Sequence, residues 1–511
     1  MSRSEALLRR LEDRSDWLSP IVVKEVRQVV RGREFNYSFG ASLAAGLAVA
    51  FFGAADALTG NGTSGSWTFM ALVACLALLG LAVVPLGAFS ALRNERMEQT
   101  LELITLTALS PRRIVIGKLL AQGVKLATLF AATAPFMTMS FLLGGIDFVT
   151  ILISLLVLFM WSLWACALCL FLSTLLKSRA MSGLVFGAVG IALFLAITIG
   201  RAMMFAARRG GVGAFSVGIS GPGPGSWWAL VVMTSFCLAS MVNLVLLAEN
   251  RLSLPTENRV TRLRVGFLIQ FLLIVGWTLS FINEPPRVQA NAVNALGALG
   301  GLQLAVVAMF AVTEDLAVSR QVLRRLHAAS PWGWLLAMFR PGGGRGALYV
   351  LAQMALFVFV AWLFHPAWGT LRWFLAICGY ICFFSGVPTL AFRLFRPARA
   401  ASFELRVALL LLMPVTMLLP DILYYVLWRP DVLDLSYSAR HLINPIRTLA
   451  NWNVVERLHW FFLPTVLGVS GLLSYLALIH LGMRRTAQPA ATEPQGSAAV
   501  AGEPGSANVL N

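Results

Sequence analysis

Few stretches of the chain hold residue types that could do chemistry. Cys166 and Cys169 have C-x-x-C spacing but neither histidine nor carboxylate company. Like the other four cysteines they lie in apolar runs, where a thiol serves as a small hydrophobe. The run Gly342-Gly343-Gly344-Arg345-Gly346 is glycine-rich but lacks the Lys-Ser/Thr pair that holds phosphate and magnesium, and no G-x-x-x-x-G-K-[ST] occurs elsewhere. It reads as a mobile loop, and the chain is expected to bind no cofactor itself. Asp431, Asp434, His441, Glu456 and His459 flank or occupy one late loop. They could make an acid/base or metal site, yet no compact spacing such as H-E-x-x-H joins them, so a solvated loop with an interfacial helix is expected. Lys125 stands inside an apolar run, where its long stem could snorkel to the membrane surface. The last candidate is acidic: Glu95, Glu98 and Glu102 fall at i, i+3 and i+7, a charged helical stripe beside the apolar stripe of Leu101, Ile104 and Ala108.

The elements that must position these groups are membrane helices. Of the 511 residues 58% are hydrophobic and 12% charged, with a mean hydropathy of +0.77. That composition excludes a soluble domain. Apolar segments long enough to span begin near residues 38, 67, 119, 149, 181, 227, 265, 293, 347, 373, 407 and 459, which predicts an all-α polytopic protein of about twelve transmembrane helices in two six-helix sets. With the N-terminus inside, the inner segments carry 30 Lys and Arg and the outer loops 9. The positive-inside rule therefore absorbs the net charge of +17, both termini are expected to be cytoplasmic, and no nucleic-acid partner is called for. The late run of ionisable residues then lies at the outer face. Residues 1–37 read as a cytoplasmic N-terminus, 38–250 as a first six-span domain, 251–482 as a second, and 483–511, rich in Ala, Pro, Gly and Ser, as a disordered cytoplasmic tail. No cleavable signal fits an N-terminus that opens on arginines.

Within this frame two inner segments carry mechanical signals. In residues 17–33, Ser19 can cap a helix with Pro20 at its first position. Val22, Val26, Val29 and Val30 then form one face, and Lys24, Arg27, Gln28 and Arg31 the other. Such a helix is expected to lie along the inner membrane surface, apolar side down, with membrane lipid as a partner. After the second span, the Glu95–Glu102 stripe makes a short amphipathic helix, and Ser110-Pro111, followed by Arg112 and Arg113, repeats the start signal for a helix running into span three.

This order resembles the permease subunits of ABC-2 type transporters. That family has an E-x-x-x-G-T-L-E-L-L segment after the second span, a Pro/Ser turn and a G-K-L helix. Glu95, Thr100, Leu101, Glu102, Leu103, Ser110, Pro111, Gly117 and Lys118 stand in those places, with Gln99 where glycine is usual. Ser19-Pro20-Ile21-Val22-Val23-Lys24-Glu25 is similar to the family's N-terminal N-P-I-x-x-K-E helix. The resemblance covers residues 17–250. It implies a non-catalytic membrane permease, an exporter, energised by a separate ATP-binding cassette ATPase subunit that holds ATP and Mg, with the acidic loop helix as the contact. A homodimer or a second permease would complete the pore.

The second half repeats the order without the motif. Ala329-Ser330-Pro331 echoes Leu109-Ser110-Pro111, and Glu314-Asp315 sits upstream. A degenerate repeat and an unrelated six-span appendage both fit. A twelve-span secondary carrier is the alternative function, although its basic loop after span two is the opposite of this acidic one. Carboxylates or histidines near a midplane would also favour it, and the spans offer Asn243 and Gln270 instead. An integral membrane enzyme with an outer-face site is a further alternative.

Overall fold

A computed structural model describes residues 20–58, 64–97, 111–144, 146, 148–175, 224–252, 260–314, 338–364, 368–395, 405–406, 409, 415 and 438–487. All regular secondary structure among them is helical, and ten helices are long and apolar enough to cross a membrane. The two further predicted spans, near 181–205 and 407–427, lie outside the described residues or almost wholly so.

The chain divides into two compact units, residues 1–300 and 301–511. In the first, α1 (Pro20–Arg31) leads into the span α2 (Arg33–Leu58). The second span is one helix in three pieces: α3 (Ser64–Leu78), a π-helical turn (Leu79–Val83) and α4 (Val84–Met97). Pro85 explains the break. It has no N–H to give the carbonyl four residues back, and its ring crowds that carbonyl. The chain widens by one residue, and the N–H of Val84 donates to the carbonyl of Leu79, five residues back. The turn sets Gly80 against the Ser162 hydroxyl, where a Cβ would come within 2.4 Å of the oxygen.

Pro111 then opens α5 (Pro111–Leu142), as its place after Ser110 predicts, and α5 extends eight residues before the predicted apolar span. The unit continues with α6 (Phe148–Leu175), α7 (Pro224–Leu252), α8 (Thr261–Ser280), α9 (Pro286–Ala295) and a second π turn (Leu296–Gly300). Leu72, Leu76 and Val84 of the second span meet Leu126 and Leu129 of α5 and Cys166 and Leu170 of α6 in one core. All six cysteines are free thiols. The amide of Asn243 donates to Gln270 Oε1 at 2.6 Å, joining α7 to α8.

The second unit holds α10 (Gly301–Val312), α11 (Gly343–Phe364), α12 (Trp368–Phe395), a 3-10 turn (Ala439–Ile443), the short helices α13 (Pro445–Ala450) and α14 (Trp452–Arg457), and α15 (Phe462–Ala487). Helices α12 and α15 touch backbone to backbone: a Cβ on Gly379 would lie 2.9 Å from the Cα of Gly468, and one on Gly471 would lie 2.4 Å from the N of Phe383. Small residues allow this approach, the usual device where lipid supplies no hydrophobic drive. Residues 342–346 are not a mobile loop. Gly343 starts α11, the N–H of Gly342 donates to Glu314 Oε2 at 3.3 Å, and Gly344 packs against the α15 backbone. The glycines serve helix contact and a positive φ of 127° at Gly342.

Candidate functional site

Three of the residues quoted for the family resemblance, Glu25, Glu95 and Lys118, meet at one point of the first unit. Lys118 sits two turns into α5 with 3% of its side chain exposed. Its ammonium donates to Glu95 Oε1 at 2.7 Å and to Glu25 Oε2 and Oε1 at 3.2 and 3.3 Å. Three elements supply these groups: α1 brings Glu25, the end of α4 brings Glu95, and α5 brings Lys118. They are 93 and 23 residues from Lys118 in the chain.

Local sequence dictates each placement. On α1, Glu25 lies three residues after Val22 and one before Val26, so it shares the face that packs on α5. A carboxylate there is buried with the valines and requires a cation. Gly117 leaves no side chain beside Lys118, and Pro111 fixes the start of α5 and so the height of Lys118 above it. Glu95 ends the apolar stretch of α4, where a carboxylate can still turn inward. One ammonium held by two carboxylates from separate helices ties the three elements into one joint.

A second buried lysine lies one tier deeper. Lys125 follows Lys118 by seven residues, two helical turns on the same face, with Gln122 between them. All three side chains are buried. Lys125 is 3% exposed. Its ammonium and the Glu34 carboxylate at the start of α2 both approach Gly87: a Cβ there would be 3.3 Å from Glu34 Oε2 and 3.7 Å from Lys125 Nζ. The missing side chain at Gly87 makes the room.

The remaining predicted residues distribute as follows. Pro20 opens α1. Lys24, Arg27 and Arg31 are exposed and line a shallow basic groove with Val23 and Gln28. Arg112 and Arg113 are exposed on the first turn of α5. Glu98, Thr100, Leu101, Glu102 and Ser110 lie outside the described residues. So do Asp431 and Asp434 of the late loop. There His441 is buried, its ring nitrogens 2.9 Å from the backbone N of Ser438 and 2.6 Å from Arg447 Nη1. Glu456 packs on Gly369, and His459 edges Phe461. Each thus has a separate local role, and no group of three potential metal ligands occurs among the described residues.

Lys118 entered the sequence reading only as a motif position. The signal that could have marked it as a partner is Glu25, the single carboxylate on an otherwise apolar helical face. Lys125 carried a clearer signal in its depth, since a lysine two turns inside a span faces either a surface or an acid. Comparison with protein-family models, curated proteins and solved structures finds no match for this chain, and the joint stands on its own geometry.

Proposed function

We propose that the chain is the membrane-spanning permease subunit of an ATP-binding cassette transporter, an exporter, with ATP and Mg held by a separate ATPase subunit. The observation that carries this reading is the Glu25–Lys118–Glu95 joint, formed from three positions of the ABC-2 type resemblance. Residues 98–110 connect α4 to α5, so a force applied to that segment enters the membrane through the two helices that the joint ties to α1. The late loop at 315–337 is basic at Arg320, Arg324 and Arg325, which suits anionic headgroups better than a partner's cleft. The two halves read as a degenerate tandem repeat. In each, the second span is broken by a π turn, and the second, third, fourth and sixth helices keep the same neighbours: second to third and fourth, third to fourth, and sixth to third and fourth.

The test is co-purification with a candidate ATP-binding cassette ATPase co-expressed with this chain, followed by ATP hydrolysis and transport in proteoliposomes. Reversal of Glu98 and Glu102 to lysine is expected to uncouple hydrolysis from transport and leave the permease folded. Reversal of Arg320, Arg324 and Arg325 is expected to do less. Loss of partner and coupling in the arginine variant alone would place the contact in the second half.

One observation favours a secondary carrier: the buried Lys125 inside a span, an intramembrane ionisable group of the kind that marks ion and proton paths. A carrier would move substrate in proteoliposomes without any ATPase and would stop when Lys125 is replaced by methionine. The permease would be silent without its partner.

A further inference from the structure

The second unit contains a cavity of about 700 Å³, within the roughly 300–1,000 Å³ of ligand sites. Its walls are α11, α12 and α15, and their lining is almost wholly apolar. It is elongated. Lining positions run from 372 to 382 on α12 and from 464 to 472 on α15. Ten residues of helix rise about 15 Å, half of the roughly 30 Å hydrocarbon core, so the groove is one leaflet deep. Gly379 and Gly468 form part of its wall, where two missing side chains leave the helices in contact and the space beside them open.

One end of the groove is charged. Arg372 stands about one turn from the start of α12, exposed, with its guanidinium 5.0 Å from the centre of the Phe461 ring. Among the described residues no carboxylate lies within 4 Å of it; Glu456 packs instead on Gly369, the turn before. Trp373, Trp452 and Trp460 cluster at the same level, and the indole N–H of Trp373 donates to the carbonyl of Leu449 at 3.1 Å. Tryptophans at a helix end mark the headgroup region. A cation at headgroup level above an apolar groove one leaflet deep matches a molecule with an anionic head and a straight hydrocarbon tail. A guanidinium also fits phosphate with two parallel hydrogen bonds.

We propose that this groove binds one anionic phospholipid, with an acyl chain along positions 372–382 and the phosphate on Arg372. The site lies wholly within residues 301–511 and does not depend on the permease reading. Its test measures binding and no transport.

The full chain, purified and delipidated in mild detergent, is equilibrated with equal phosphatidylglycerol and phosphatidylcholine and weighed by native mass spectrometry. The expected result is one retained phosphatidylglycerol per chain. Arg372→Gln is expected to lower the phosphatidylglycerol preference about tenfold, or about 1.4 kcal/mol, and Arg372→Lys to lower it less. Ala355→Phe fills the groove from the exposed side of α11 and is expected to remove lipid of both kinds with the melting temperature unchanged. Should that variant melt early, Arg372→Gln, a surface change, still decides the matter. Equal retention of both lipids by the unaltered chain would overturn the proposal. So would a preference that survives Arg372→Gln, the loss of all lipid on washing, or a second copy of the chain retained in place of lipid.

Discussion

Lys118 faces two carboxylates, and the consequences of removing it differ from those of removing them. A lysine buried to this depth persists because its partners satisfy it. Lys118→Met leaves Glu25 and Glu95 facing each other without a cation. Breaking a buried pair from one side costs about 3–5 kcal/mol, so this variant is expected to lose several degrees of melting temperature in detergent. Replacing all three residues together, with Glu25→Gln, Glu95→Gln and Lys118→Met, leaves no uncompensated charge and is expected to recover much of the loss. A triple variant no more stable than Lys118→Met alone would mean that the joint is held by packing and not by charge. Half of this site was legible in the sequence. Spacing placed Glu95 on a charged stripe, and the structure turns its carboxylate inward to Lys118 instead of toward a partner. Glu25 was visible as one letter of a motif. What period counting missed is that a carboxylate at i+3 from Val22 shares the buried face, and only the neighbouring helix could reveal the cation it meets.

Elements were more readable than contacts, because caps and prolines act locally. Pro20 and Pro111 open the helices that their positions predict, and ten of the twelve apolar runs fall on described helices, most within about five residues of their expected limits and α5 starting eight residues early. The exception is instructive. A 3.6-residue period treats the second span as uniform, whereas Pro85 forces a π turn that shifts the facing of every residue beyond it. The shift places Gly80 against Ser162, and a test follows from the crowding. Gly80→Ala puts a methyl group about 2.4 Å from the Ser162 hydroxyl and is expected to destabilise the first unit by about 1–3 kcal/mol. Removing the oxygen with Ser162→Ala should relieve most of that cost, which a double-mutant cycle by thermal melting would read. The interfacial helix gives a second test. Its valine face was expected to meet lipid; Val22 is buried where α1 packs on α5, Val26 and Val29 are half-buried and Val30 is exposed. Val26→Asp with Val29→Asp should therefore weaken assembly of the first unit and show as early melting. Reduced membrane attachment with normal melting would support the lipid-facing reading instead.

At the scale of the molecule, the proposed permease needs a fixed orientation across the membrane, and the Lys and Arg bias predicts one. The ten described crossings and the two outside the described residues would give both halves the same sense, each entering and leaving on the inner side. The large segments 98–110 and 315–337 then share a side with residues 1–37 and with the tail, because each follows the second crossing of its half. Arg372, which follows the next crossing after residues 315–337, would then belong to the opposite headgroup layer. These placements stand or fall together, since one missing crossing before residue 372 would put Arg372 on the inner surface and move the late loop across. The six native cysteines are buried or nearly so, and replacing them with alanine or serine leaves a background for single probes. Gln99→Cys and Ser319→Cys are expected to resist a membrane-impermeant maleimide in intact cells and to react once the membrane is opened. Gly213→Cys and Ser436→Cys are expected to react in both states. If Ser319→Cys were labelled in intact cells while Gln99→Cys was protected, an odd number of crossings would separate the two loops, and the shared orientation of the halves would be lost.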